Sequence, residues 1–168
     1  MNKLSKEVLG WDGKSAGDIE KIYIRYHYSH DFSSQLIALC QDEDLNLGGT
    51  WLLKHYLENG GKLTTEQGQV ILTQLPSYTN WESKLHILQI FSYLKLTQST
   101  RTVLEHFLKQ ELSDSNKFVK AWCYNGLYEL AVEFPELQYE VSELLYLALE
   151  NEPASVKARV RKLLKKGF

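Results

Sequence analysis

Residues 116–130 read NKFVKAWCYNGLYEL, and the Val119-Lys120-Ala121 start inside this stretch recurs along the chain. Ser83-Lys84-Leu85 precedes it by 36 residues (119−83), and Val156-Lys157-Ala158 follows it by 37 (156−119). In that register Phe91 falls on Leu127 and Leu94 on Leu130. A second register gives the same period: Leu75, Leu112 and Leu149 are 37 apart, as are Ile71, Leu108 and Leu145, and Val70, Phe107 and Leu144. Two registers with one period predict a repeated pair of helices. A pair of this length cannot bury its apolar face alone, so neighbouring pairs must stack into a shared core.

Working outward from this stretch, the pattern predicts helices over 48–59 (GGTWLLKHYLEN), stopped by Gly60-Gly61, and over 65–75 (TEQGQVILTQL), stopped before Pro76. Further pairs are predicted over 79–95 with 99–112, and 116–134 with 135–151, before a closing helix over 153–167. Pro135 and Pro153 stand where a first helical turn tolerates a missing N–H. Toward the N-terminus, residues 33–42 read as a helix followed by the acidic connector Asp42-Glu43-Asp44. In 19–30, Ile22, Ile24, Tyr26 and Tyr28 alternate as in a strand, while Ile19, Ile22, Tyr23 and Tyr26 fit a helix; the helix is taken, with Asp18 as its N-cap. Residues 1–17 hold three glycines and Trp11 without sustained periodicity, and they read as an N-terminal arm pinned by the tryptophan. The expected organisation is that arm followed by one helical repeat domain over 18–168, whose first pair fits the period poorly.

The Val-Lys-Ala start, the Leu-rich first helix and the amphipathic second helix together resemble the HEAT-like, armadillo-type family of α-helical repeats over about 46–167. The period is shorter than the roughly 40–47 residues usual for HEAT repeats and nearer the tetratricopeptide value of about 34. A tetratricopeptide pattern, W-x2-L-G-x2-Y, is nonetheless met only by Trp122 and Gly126. The resemblance implies an all-α, right-handed α-solenoid of about four antiparallel helix pairs plus a C-terminal capping helix. It further implies that the second helices line a concave face that binds another protein or peptide. Positions on those helices outside the core registers are Gln69, His106 and Glu143, with Leu72, Lys109 and Tyr146 beside them, and these six form the candidate binding face. The alternative function implied by the same architecture is that of a DNA-interacting protein related to the HEAT-like alkylpurine DNA glycosylases.

Composition narrows the classes. The 168 residues are 43% hydrophobic and 24% charged, with only three prolines and ten glycines, which speaks against an all-β or a disordered chain. A formal charge of −2 supplies no global field for a polyanion and disfavours nucleic acid as the main partner. With no long apolar run, the chain is expected to be cytoplasmic, without a signal peptide or a membrane span. No GxGxxG, Walker-type glycine loop, GxSxG or HExxH occurs, so no catalytic residue, cofactor or metal is expected.

Three constellations have a sharp and a plain reading. His27, His30 and Asp31 share spacing with metal ligands, but no second cluster matches them, and capping of a helix end explains them more simply. Trp51, Trp81 and Trp122 each lie in the first helix of a pair, with Tyr124, Tyr128, Tyr139 and Tyr146 nearby; the sharp reading is a peptide-binding groove lined by them, the plain one the core, where aromatics at helical spacing usually belong. From Ala121 to Val156 there are seven glutamates and no Lys or Arg, and then Lys157, Arg159, Arg161, Lys162, Lys165 and Lys166 follow. That basic helix reads as a membrane-surface or RNA-binding element, or more plainly with Lys165 and Lys166 complementing the helix C-terminus and the others facing the acidic helix before it.

Overall fold

In the computed structural model the described residues are 1–113 and 116–168, and among them the chain forms ten α-helices, three short 3-10 turns and no strand. They cluster into two units, Met1–Leu94 and Lys95–Phe168.

The first unit contains α1 (Lys3–Leu9), α2 (Ala16–Tyr26), α3 (Phe32–Gln41), α4 (Asn46–Glu58), α5 (Thr65–Gln74) and α6 (Trp81–Leu88). Helix α4 is its hub, packing on α1, α2, α3 and α6, while α3 also packs on α5. Two glycines let it do so. A Cβ built on Gly49 would stand 2.8 Å from the Leu39 carbonyl carbon and 2.9 Å from the Cys40 nitrogen, so the backbones of α3 and α4 meet where only glycine fits. At Gly48 the space is filled by Val8 and Ile19. Val8 belongs to α1, a helix where the sequence pattern predicts an arm: Leu4 and Val8 are both buried. One apolar turn is too short to show periodicity, and its partner glycine lies forty residues further along the chain. Trp11 pins the following loop by donating Nε1–H to the Ser15 carbonyl at 2.8 Å.

Two further boundaries differ from expectation. The N-cap of α2 is Ser15, whose hydroxyl accepts from the Asp18 N–H, and Asp18 itself sits in the first turn. The helix predicted over 79–95 stops at Leu88 and is followed by a 3-10 turn at Phe91–Tyr93. No Pro or Gly marks the break; it carries Ile90 and Phe91 into the core, where both are buried. Gly60 ends α4 as expected, with φ of +87°.

A polar seam joins α4 to α6. Ser83 donates to the Asn46 side chain at 2.9 Å, and the Thr50 hydroxyl lies 3.1 Å from His86 Nδ1 and 3.2 Å from the Leu47 carbonyl. Both Thr50 contacts are satisfied at once when Nδ1–H donates to the hydroxyl and the hydroxyl donates to Leu47. Burial, with Lys54 nearby, holds the imidazole pKa down at about 4, so His86 is neutral at pH 7.

The second unit contains α7 (Gln98–Glu111), α8 (Lys117–Glu133), α9 (Gln138–Asn151) and α10 (Ala154–Lys166). Here α8 is the hub, packed on α7, α9 and α10, and ten of its 17 residues are buried. A helix covered on several sides reads as broadly apolar instead of striped. Asn80 and Asn116, 36 apart, cap α6 and α8 in the same way, each side chain accepting from the second and third N–H of its helix.

Burial carries the period through both units. Ser83, Val119 and Val156 are all fully buried, and so are Ile87, Cys123 and Val160 one turn on. In the second helices Ile71, Leu108 and Leu145 are buried together. The other proposed registers hold less evenly: Phe107 is buried where Val70 is exposed, and Leu75 is buried where Leu112 and Leu149 are only half-buried.

Candidate functional site

The six candidate positions fall on three second helices, α5 in the first unit and α7 and α9 in the second. On α5, Gln69 is half-buried and lines a shallow hollow of about 460 Å³ with Gln41, Glu66, Val70, Thr73 and Gln74. Leu72 is a correction to the sequence reading: it is 0% exposed and belongs to the core. The buried stripe of α5 runs Gly68, Ile71, Leu72, Leu75, an i, i+3, i+4, i+7 pattern. On α7 the stripe is Thr100, Leu104, Phe107 and Leu108. The two stripes coincide at Ile71 and Leu108 but differ around them, so at other positions aligned by the 37-residue offset, Leu72 with Lys109 and Val70 with Phe107, one side chain is buried and its counterpart is not.

In the second unit, His106, Glu143 and Tyr146 are exposed and Lys109 is half-buried. Lys109 is not a free cation. Its ammonium lies 2.8 Å from Glu105 on its own helix and 2.6 Å from Glu140 on α9. Burial disfavours the charged ammonium, but the hydrogen bonds it donates to both carboxylates outweigh this and its pKa is raised. Arg101 makes a parallel bridge to Glu136, and its guanidinium stands 5.0 Å from the Phe134 ring centroid. These bridges tie α7 to the start of α9. Beyond them the outward side of α9 carries three large exposed side chains, Tyr139 at 80%, Tyr146 at 60% and Leu147 at 54% exposure. Tyr139, Glu143 and Tyr146, spaced four and three residues apart, share one side of the helix. Leu147 carries no role in the sequence reading, although its place outside the Val141, Leu145, Ala148 stripe was open to it.

The expected pairing of the basic C-terminal helix with the acidic helix before it is also corrected. Among the described residues, Glu140 of α9 and Glu136 of the 3-10 turn before it pair with α7, and Glu152 is taken by Lys120 at 3.1 Å and the Tyr124 hydroxyl at 2.9 Å. Among the described residues no side chain of α10 forms an ion pair with α9; Lys157 reaches it only by donating to the Glu150 carbonyl at 3.3 Å. Arg159 instead stands over Trp122, its guanidinium carbon 3.9 Å from the ring centroid, and Lys166 stands over Tyr128 at 4.9 Å. Trp122 and Arg159 are 37 apart, so the repeat itself brings them together. The tryptophans are not core residues as expected: Trp81 is 43% exposed, and Trp51 and Trp122 are half-buried, with Trp51 stacked on His55 at 4.9 Å.

Side chains with nucleophilic or ligand chemistry do not converge. Cys40 and Cys123 are fully buried thiols, and burial pushes that of Cys40 well above the usual range. His27 stacks on Tyr23 at 4.6 Å with Nδ1 at 3.0 Å from the Tyr23 carbonyl, and Asp31 accepts from Ser29 at the start of α3. These are helix-end roles. Among the described residues no group of three His, Cys, Asp or Glu side chains is arranged to hold a metal ion. No helix among them is long and apolar enough to cross a membrane.

Comparison with known proteins gives one match. No curated protein and no solved structure matches the chain. A family model described as the HEAT repeat domain matches residues 12–167, in agreement with the stacked helix pairs and the 36–37-residue burial register. On that match and that architecture, the chain belongs to the HEAT repeat domain family.

Proposed function

We propose that this chain is a cytoplasmic, non-enzymatic interaction module that binds a partner protein on the outward side of its second helices, centred on α7 and α9. The observation that carries the reading is the group Tyr139, Tyr146 and Leu147, large side chains held in solvent on one helix. Tyrosine supplies much contact area at low entropic cost and is enriched in protein interfaces. The neighbouring bridges, Lys109 to Glu140 and Arg101 to Glu136, fix the α7 and α9 side chains before a partner arrives. His106 and Glu143 then supply the polar rim. Membership in a helical repeat family, whose members often mediate protein interactions, supports the same reading.

The DNA-interacting alternative draws no support from this surface, whose cations Arg101 and Lys109 are taken by Glu136, Glu105 and Glu140 and whose Glu143 is exposed. The test is capture of the native partner by the tagged chain, repeated with alanine at Tyr139, Tyr146, His106, Glu143 and Gln69. Loss of capture is expected for the two tyrosine variants, each weakening binding by about tenfold or more. Capture that is unchanged across the whole set contradicts the proposal.

A further inference from the structure

The first helices of the second unit carry a different surface. Lys117, Phe118 and Trp122 of α8 and Ser155, Arg159 and Lys162 of α10 line a hollow of about 220 Å³. Three of its walls are cationic and none is acidic. Phe118, 52% exposed, gives it an apolar side, and the Trp122 ring beneath Arg159 gives it a floor. Elsewhere on α10, Arg161 and Lys165 are exposed and have no carboxylate partner among the described residues. Six cationic residues on one 13-residue helix with no acid among them are an uncompensated charge.

The arrangement of that charge selects the partner. The whole chain has 19 Lys and Arg against 21 Asp and Glu; with the six of α10 set aside, the remainder stands at 13 against 21, a net −8. The positive strip is as long as α10, about 20 Å at 1.5 Å per residue. That is only about twice the screening length at physiological salt. A strip of that length matches a short extended segment of about six residues at roughly 3.3 Å each. A lipid surface is disfavoured on other grounds: Val156, Val160 and Leu163 of α10 are buried against the rest of the unit and Leu164 is half-buried, so the helix has no exposed apolar stripe to insert. The Trp122 face nearest the strip is occupied by Arg159 and is closed to base stacking.

We propose that this hollow between α8 and α10 docks a short acidic segment of a partner protein, its carboxylates on Lys117, Arg159 and Lys162 and one apolar side chain against Phe118. The site is separate from the tyrosine surface of α9 and does not depend on it.

The test uses the full chain and a fluorescein-labelled glutamate-rich peptide with a single central leucine. Its controls are a peptide with every glutamate replaced by glutamine, a long oligothymidylate and phosphatidylserine-containing vesicles. Binding by the acidic peptide is expected to shift the backbone amides of 117–122 and 155–162 and to weaken with added salt. The Lys117→Gln, Lys162→Gln double variant alters only surface positions and is expected to weaken binding by about tenfold. Arg159→Gln is expected to weaken it as well, with the melting temperature checking that Trp122 still packs. Tyr139→Ala with Tyr146→Ala is expected to leave peptide affinity unchanged, which separates this site from the α9 surface. The proposal is overturned by equal affinity for the glutamine peptide, by shifts confined to other helices, or by full affinity in the double variant. It is equally overturned by tighter binding of the oligonucleotide or the vesicles, or by concentration-dependent shifts of the same amides without peptide, which would make a second copy of the chain the occupant.

Discussion

Gly49→Ala isolates the contact on which the first unit depends. Two terms oppose each other. Alanine in a helix interior is favoured over glycine by about 1 kcal/mol, so at a position with room the substitution stabilises. At Gly49 the new Cβ would come within 2.8 Å of the Leu39 carbonyl carbon and Cβ and 2.9 Å of the Cys40 nitrogen, atoms of the α3 backbone that cannot rotate away. Forcing two packed helices apart costs about 3 kcal/mol at the upper end of overpacking penalties, leaving a net loss of about 2 kcal/mol. Two other helical glycines serve as internal controls. Gly17 has nothing within 4 Å of its ideal Cβ, and Gly68 meets only Leu94 Cδ2 at 3.7 Å, an ordinary contact. Alanine at either is expected to stabilise by about 0.5–1 kcal/mol. Urea unfolding followed by circular dichroism reads all three as midpoint shifts. A Gly49→Ala chain as stable as the parent would refute the close backbone approach of α3 and α4, and destabilisation by all three would show that the effect is not one of contact.

The remaining expectations are as direct. His86 has a folded pKa of about 4 against an ordinary 6.5, so the unfolded chain binds a proton that the folded one refuses. Stability is therefore full above pH 6.5, falls as pH drops toward 4 and levels off below; the difference between pH 7.5 and pH 5 is about 2 kcal/mol by linkage. A His86→Asn chain whose thermal unfolding keeps that same pH dependence would refute it. Asn116→Ala removes the cap that holds the N–H groups of Phe118 and Val119 and is expected to cost about 1 kcal/mol, as is Asn80→Ala at the equivalent start of α6. Chemical unfolding of each variant measures this, and no change in either midpoint would count against the caps. Leu72→Ala is expected to cost about 2–5 kcal/mol and His106→Ala less than about 0.5, a contrast that separates a buried side chain from an exposed one at neighbouring ladder positions. Equal midpoints for the two would contradict the burial of Leu72 on α5.

Much of the fold was legible because the repeat is written twice, once in each helix of the pair. The equivalence of Ser83, Val119 and Val156 rests on residue spacing alone, and burial of all three follows from it. Features decided by distant partners were not legible. Helix α1 is a single apolar turn whose meaning depends on Gly48, and the end of α6 depends on where Ile90 and Phe91 find a core. The candidate face was legible only in part, since an offset fixes position along a helix but not which side chains beside the shared stripe are covered. Leu72 turned inward for that reason, while His106, Glu143 and Tyr146 stayed in solvent. The α10 charges were misassigned because nearness in sequence favoured α9 as their partner. The 37-residue offset from Trp122 to Arg159 held the better signal, since equivalent positions on stacked first helices lie side by side.

The interaction surface on α9 can be tested in one measurement. A photoreactive benzoylphenylalanine placed at Tyr139, Tyr146 or Tyr93 replaces exposed aromatics on α9 and, as a control, on the short turn after α6. After irradiation in the native extract, adducts to one and the same partner protein from positions 139 and 146, and none from 93, are the result this account expects. Adducts from 93 alone, or from no position while the partner is still captured, would contradict the placement of the interface on α9.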